Sequence, residues 1–182
     1  AVFQLAVRDE ALGALTVSYK GKTIVLTPDQ ALASVAGRLV SLPAAPARAG
    51  RRWLVPLDFI GRALVLIYDA RLDLRKASHL LIVGDLRVPR ITVHYDAASG
   101  GGGRLTIDAT PRVASAVSGE GNERVTIKFD ADALDVSMPL PSAQGLLEGI
   151  RSDATTLTLD LGPRVVGFRT TTQRVDTADR LT

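Results

Sequence analysis

The 182-residue chain contains no cysteine, so it can form neither a disulfide framework nor a thiolate metal site. Aromatic residues are only 4% of the sequence and Trp53 is the sole tryptophan, so a core has to be assembled from Val, Leu, Ile and Ala. The two histidines, His79 and His94, fall short of the three or four ligands that a zinc site needs. Both are expected to occupy alternating strand positions. No apolar run approaches the ~18 residues of a membrane-crossing helix; the longest, around 63–68 and 80–83, have the length of strands. A G-x-S-x-G elbow and an S-x-x-K motif are both missing, so nothing supports a serine nucleophile. The opening "AVFQLAVRDE" has neither an initiator methionine nor a basic-then-apolar leader, as expected of a trimmed or mature exported chain.

What is present describes a folded chain. Apolar residues make up 46% and charged residues 23%, which excludes wholesale disorder, and the length suits one large domain or two small ones. The net charge is +3, but residues 1–85 carry 11 basic and 7 acidic side chains while 86–182 carry 11 and 12. The basic excess therefore sits in the first half. Nucleic-acid binders show a denser basic cluster interleaved with aromatics; here only Arg48, Arg51 and Arg52 gather beside Trp53. No nucleic-acid partner is expected, whereas an anionic polymer such as a cell-wall glycan-peptide suits the charge.

Along the chain, "LTVSYKGKTIVL" (15–26) alternates apolar and polar residues around Lys20-Gly21-Lys22 and reads as a β-hairpin. In "TPDQALASVAGRLVSLP" two rules compete. Thr27, Pro28 and Gln30 fit the start of a helix that stops at Gly37, while Ala36-Gly37 fits the turn of a hairpin. The hairpin is preferred, because Val35, Leu39 and Val40 form no helical stripe. After the loop "AAPARAGRR" comes a strand "RWLVP", ended by Pro56, which has no N–H to donate. Leu57, Ile60 and Leu64, with Phe59 beside them, then place one apolar face at helical spacing and predict a two-turn helix over 57–64. The stretch "LIYDARLDLRKASHLLIVG" supplies two or three further strands, with turns at 69–73 and 76–78.

"LRVPRIT" (86–92) leads into a second unit built on a repeated theme. "RLTID" (104–108), "RVTIKF" (124–129) and "TLTLDL" (156–161) alternate a buried apolar residue with a threonine or a charge, the pattern of sheets with one face in the core and one in water. "LPSAQGLLEGIRSD" offers at most one helical turn. The closing "DRLT" repeats the start of "RLTID", so the chain is expected to be a fragment cut inside a strand motif. The fold class expected is mainly β: a small α+β unit with one short helix over residues 1–87, then an antiparallel β-sandwich-like domain over 88–182, truncated at its C-terminal edge.

Chemical candidates are few. The acidic string "FDADALD" (Asp130, Asp132, Asp135) lacks the sixth-place glycine and the distal glutamate of a calcium loop and reads as a solvated strand end. "SGGGGR" (99–104) neither ends in Lys-Ser/Thr nor leads into a helix, so it reads as a hairpin loop rather than a phosphate cradle. Trp53, Arg51 and Arg52 could stack on a sugar or pair with a carboxylate. The plainer alternative turns Trp53 and Val55 into the core and leaves both arginines on the surface.

Taken together, "VSYKGKTIVL", "VAGRLVSLP", "RRWLVPLDFIGRAL", "YDARLDLR" and "HLLIVGD" resemble the copper amine oxidase N-terminal-like domain over about residues 15–85. Val65 departs from that pattern, which usually has glycine after the helix. Despite the family's name, this module as it occurs in bacterial envelope proteins implies no copper. Residues 88–182, through "GRLTID", "ERVTIKF" and "DRLT", resemble the AMIN domain, a β-rich module that recruits cell-wall amidases to peptidoglycan. Such modules precede a zinc-dependent N-acetylmuramoyl-L-alanine amidase domain that opens with a "DPGHGG"-like segment, which is absent from this sequence. The resemblance thus implies the non-catalytic part of a periplasmic or extracellular amidase, with no catalytic residue, metal or cofactor of its own. Zinc would belong to the downstream domain, and the partners would be peptidoglycan and that domain. The candidate contacts with acidic stem peptides are Arg51, Arg52, Trp53, Arg104, Arg124, Arg151 and Arg169. The competing reading is a protein-interaction or autoregulatory module of an envelope protein.

Overall fold

A computed structural model describes residues 3–182, and the chain is mainly β. Two compact units separate: residues 3–75 with 81–85, and residues 76–80 with 86–182.

The first unit is an antiparallel meander in the order β1 (Ala6–Asp9), β2 (Leu15–Tyr19), β3 (Lys22–Leu26), β4 (Leu32–Val35), β5 (Arg38–Ser41). Both predicted glycine turns are hairpin turns with two consecutive left-handed residues, Lys20 and Gly21 at φ 45° and 82° and Ala36 and Gly37 at 46° and 83°. That backbone twist suits adjacent strands, so the hairpin, not the helix, occupies 32–41. Period-two alternation sends Leu15, Val17, Ile24, Leu26, Ala33 and Val35 to one face, all buried. A second, two-stranded ribbon joins β6 (Ala47–Ala49) to β7 (Arg52–Leu54).

The helical segment after the ribbon covers that buried face, but not with all the residues its spacing predicts. Its first part, Ile60–Leu64, is wound wide, with the Val65 N–H reaching back five residues to the Ile60 carbonyl, and it continues as α1 (Val65–Ile67). Phe59, Ala63, Leu64 and Ile67 are the buried residues, while Leu57 is 45% exposed. The apolar run after Leu64 is therefore helix rather than strand. The next strands begin later, at β8 (Leu72–Arg75) and β9 (Leu80–Val83). His79 stands in the intervening turn at φ 53° and is exposed, which corrects its expected strand position.

Tyr68, just after the helix, packs edge-on against Phe3 at 5.5 Å and tilted against Tyr19 at 4.6 Å. Nearby, Lys20 Nζ lies 2.8 Å from Asp69 Oδ2. The hydrogen bond from Lys20 lowers the Asp69 carboxyl below its ordinary range.

The second unit is a sandwich of two sheets. One has the order β14 (Asp135–Val136), β10 (Arg90–Ala97), β11 (Gly103–Thr110), β18 (Ala178–Leu181), β17 (Thr172–Val175). The other has β12 (Ser115–Glu120), β13 (Arg124–Phe129), β16 (Thr156–Leu161), β15 (Leu147–Asp153). The three repeated motifs form β11, β13 and β16. "DRLT" forms β18 and pairs antiparallel with β11, whose start it echoes. Inward residues of both sheets, among them Ile91, Ile107, Val125, Ile127, Phe129 and Leu157, share one core.

"LLEGIRSD", expected to hold at most one helical turn, holds none and supplies strand β15, with a bulge between Leu147 and Gly149. One expectation fails in this unit. Asp135 is buried, its side chain only 3% exposed with Arg90 Nε 3.8 Å away, so it is no solvated strand end. Parallel pairing with β10 carries it inward, its N–H bonded to the Pro89 carbonyl at 3.0 Å.

Two predictions follow from the first unit's packing. Ile24→Ala should cost about 2–5 kcal/mol, read as a lower urea midpoint of the Trp53 fluorescence transition; an unmoved midpoint would deny that the sheet face is the unit's core. Replacing Lys20 by Gln should raise the midpoint of the Asp69 carboxyl in an NMR titration. Because that carboxyl is lowered in the folded protein, the stability it lends is present above the ordinary carboxylate range and fades as pH falls through the lowered value.

Candidate functional site

The seven side chains singled out in the sequence fall into three groups. Arg51, Arg52 and Trp53 belong to the β6–β7 ribbon. Arg51 lies in its turn and is exposed, as is Arg52. Trp53 is half-buried against the first core, and its Nε1 donates to Asp9 Oδ1 at 3.0 Å. Arg48, directly opposite Trp53 in the ribbon, donates to the other oxygen of Asp9 at 3.2 Å. Trp53 is thus a latch between the ribbon and β1, and its indole N–H is already used. Val55, expected to accompany it inward, is 40% exposed.

Arg124 and Arg151 occupy the outer face of the four-stranded sheet and converge on one carboxylate. Asp160 Oδ1 lies 3.3 Å from Arg124 Nε and 2.9 Å from Arg151 Nη2. Glu120 adds a 3.2 Å pair to Arg124. The hydrogen bond to Asp160, with Glu120's charge, raises the Arg124 pKa further. Register explains the pairing, since Arg124 stands directly across from Asp160 and Arg151 across from the neighbouring Thr158. On the other sheet, Arg180 likewise forks onto Asp108, its β11 partner, at 2.7 and 3.0 Å.

Arg104 and Arg169 are placed differently. Both are exposed, and both line a cavity of about 540 Å³. Leu105, Ile107, Val117, Ile127, Leu159 and Leu161 supply much of its wall, from strands of both sheets. Arg164 joins the two arginines and spends one N–H on the Gly145 carbonyl at 3.1 Å. No aspartate or glutamate lines this space. Sequence reasoning missed Arg164 and the cavity itself.

Two glycines shape the surroundings of the cavity by letting aromatic rings lie on the backbone. A Cβ on Gly119 of β12 would stand 2.8 Å from Phe168 Cζ, and one on Gly103 of β11 would stand 2.8 Å from Tyr95 Cζ. Tyr95 is further held by its hydroxyl, which accepts the Leu146 N–H at 3.1 Å. Such ring-over-glycine contacts cover backbone that a side chain would otherwise shield.

Among the described residues, no group of three or more His, Cys, Asp or Glu side chains is placed to hold a metal ion, and no helix is long and apolar enough to cross a membrane.

The described residues form a β-rich chain with cationic and apolar surfaces. Residues 6–70 match the family model of the Copper amine oxidase N-terminal domain, which is often a non-catalytic accessory domain. Comparison with curated proteins and with solved structures gives no match. The matched stretch contains no histidine, cysteine or methionine, so the usual soft and imidazole donors for copper are not there, and its residues do not fit that metal.

Gly103→Ala should displace the Tyr95 ring and break its bond to Leu146, costing about 1–3 kcal/mol. In a Tyr95→Ala background the same change should cost far less; equal costs in both backgrounds would mean that Tyr95 does not rest on this glycine.

Proposed function

We propose that the chain is the non-catalytic peptidoglycan-binding region of a cell-wall N-acetylmuramoyl-L-alanine amidase, acting in the periplasm or outside the cell. In this reading residues 88–182 form an AMIN-like domain, and a downstream domain, with its own zinc, carries out hydrolysis. The family match over residues 6–70 supports an accessory role. The two-sheet sandwich with repeated "RLT"-type strands supports the AMIN-like reading of the second unit.

The observation that carries the binding role is the distribution of ion pairs. Arg51, Arg52, Arg104 and Arg169 are exposed, and among the described residues none of them is paired with a carboxylate. Arg124 and Arg151 are committed to Asp160. Unpaired guanidinium groups present planar forks that match carboxylates such as those of stem peptides. Each exposed pair is worth about 1 kcal/mol or less, so retention on a polymer has to come from several weak contacts acting together.

Purified sacculi should retain the chain at low salt and release it as salt screens the contacts. Substituting Arg51, Arg52, Arg104 and Arg169 together by Gln should abolish retention, while Arg124→Gln with Arg151→Gln should leave most of it. Absence of retention at low salt, or loss caused equally by the second pair, would overturn the proposal.

A further inference from the structure

The cavity between the sheets has properties that a polymer-binding surface does not need. Its walls are aliphatic side chains that belong by alternation to the sandwich interior: Ile107 from one sheet, Val125, Ile127 and Leu159 from the other. Its volume of about 540 Å³ is that of a small-molecule site, which is typically apolar with a few oriented polar groups. Those polar groups here are of one sign. Arg104, Arg164 and Arg169 line the space, no aspartate or glutamate side chain does, and Arg104 and Arg169 have no ion-pair partner among the described residues. Three arginines lining one space without an aspartate or glutamate side chain favour an anion there.

We propose that this cleft binds a single-chain fatty carboxylate, with the alkyl chain between the two sheets and the carboxylate on the arginines. Both halves of such a molecule are matched. The chain replaces water against Leu105, Val117 and Leu161, and the head group accepts forked N–H donors. A cationic amphiphile meets the same walls but the wrong charge at the arginines, and a free small anion gains nothing from the walls. The proposal does not rest on peptidoglycan binding, although the two readings share Arg104 and Arg169.

The test is a titration of the whole chain, labelled at Ile, Leu and Val methyls, with dodecanoate, dodecyltrimethylammonium and dodecyl maltoside, each below its micelle concentration. Dodecanoate should give saturable shifts at Ile107, Val117, Ile127 and Leu159, and should bind at least about tenfold more tightly than the ammonium compound. Arg104→Gln with Arg169→Gln should weaken dodecanoate by roughly tenfold and leave the maltoside unchanged. Val117→Trp, which fills the cleft, should abolish dodecanoate binding while sacculus retention persists, separating this site from the polymer-binding reading. The wild-type titration decides the matter even if that variant does not fold. Unmoved cleft methyls at millimolar dodecanoate, or equal affinity for the cationic amphiphile, would overturn the proposal.

Discussion

Burial of every second side chain along short strands is the constraint on which this structure depends. With no disulfide and few aromatic rings, cohesion has to come from aliphatic groups, and a strand offers those to a core only on one face. In the first unit the meander buries Val17, Ile24 and Val35 and needs a lid, which the helical segment supplies through Phe59, Ala63 and Ile67. The second unit meets the same requirement with a second sheet, Ile91 and Ile107 on one side and Ile127 and Leu157 on the other. Each solution leaves opposite faces wet, and there the threonines and charges of the alternating motifs are found.

Those wet faces determine which charges stay available. Strand register puts Arg124 beside Asp160 and Arg180 beside Asp108, so each arginine meets a carboxylate on the adjacent strand. Residues at turns and in the segment after β16 have no such neighbour imposed on them. Arg51 lies in a ribbon turn and Arg169 in the connection to β17, whereas Arg104 stands across from Asp96 of β10 without forming an ion pair with it. Register alone does not decide availability, since Arg104 and Arg124 each face an aspartate on the adjacent strand yet only Arg124 is held in an ion pair.

This is also where sequence reading stopped. The hairpins at Lys20-Gly21 and Ala36-Gly37 were legible because a two-residue turn is a local event, with its conformational demand met by the residues that make it. The alternating strands were legible for the same reason. The helix was located and Leu64 and Phe59 are buried, but the helix runs on to Ile67, so that Phe59, Ala63 and Ile67 at ordinary spacing form the buried face while Leu57 is left exposed. Asp135 was read as solvated because its burial comes from pairing with Arg90 and Ile91, 45 residues earlier in the chain. The cleft was invisible for the strongest form of this reason, since its walls come from strands of both sheets that are far apart in sequence.

An apolar cleft beside guanidinium groups also changes how the arginines should be weighed. On an outer face each exposed pair contributes little, because water and salt compete for both partners. Beside apolar walls the same guanidinium acts together with transfer of a chain out of water, at roughly 25 cal/mol for each Å² of apolar surface removed. A chain burying a few hundred Å² would therefore outweigh any single surface contact, and the arginine would act chiefly on orientation and on the sign of charge admitted. Arg104 and Arg169 can then serve a polymer weakly and a small amphiphile strongly. Occupancy of the cleft by the latter would withdraw Arg104 and Arg169 from the surface that the former requires, so the two ligands would compete through shared charge rather than through shared space.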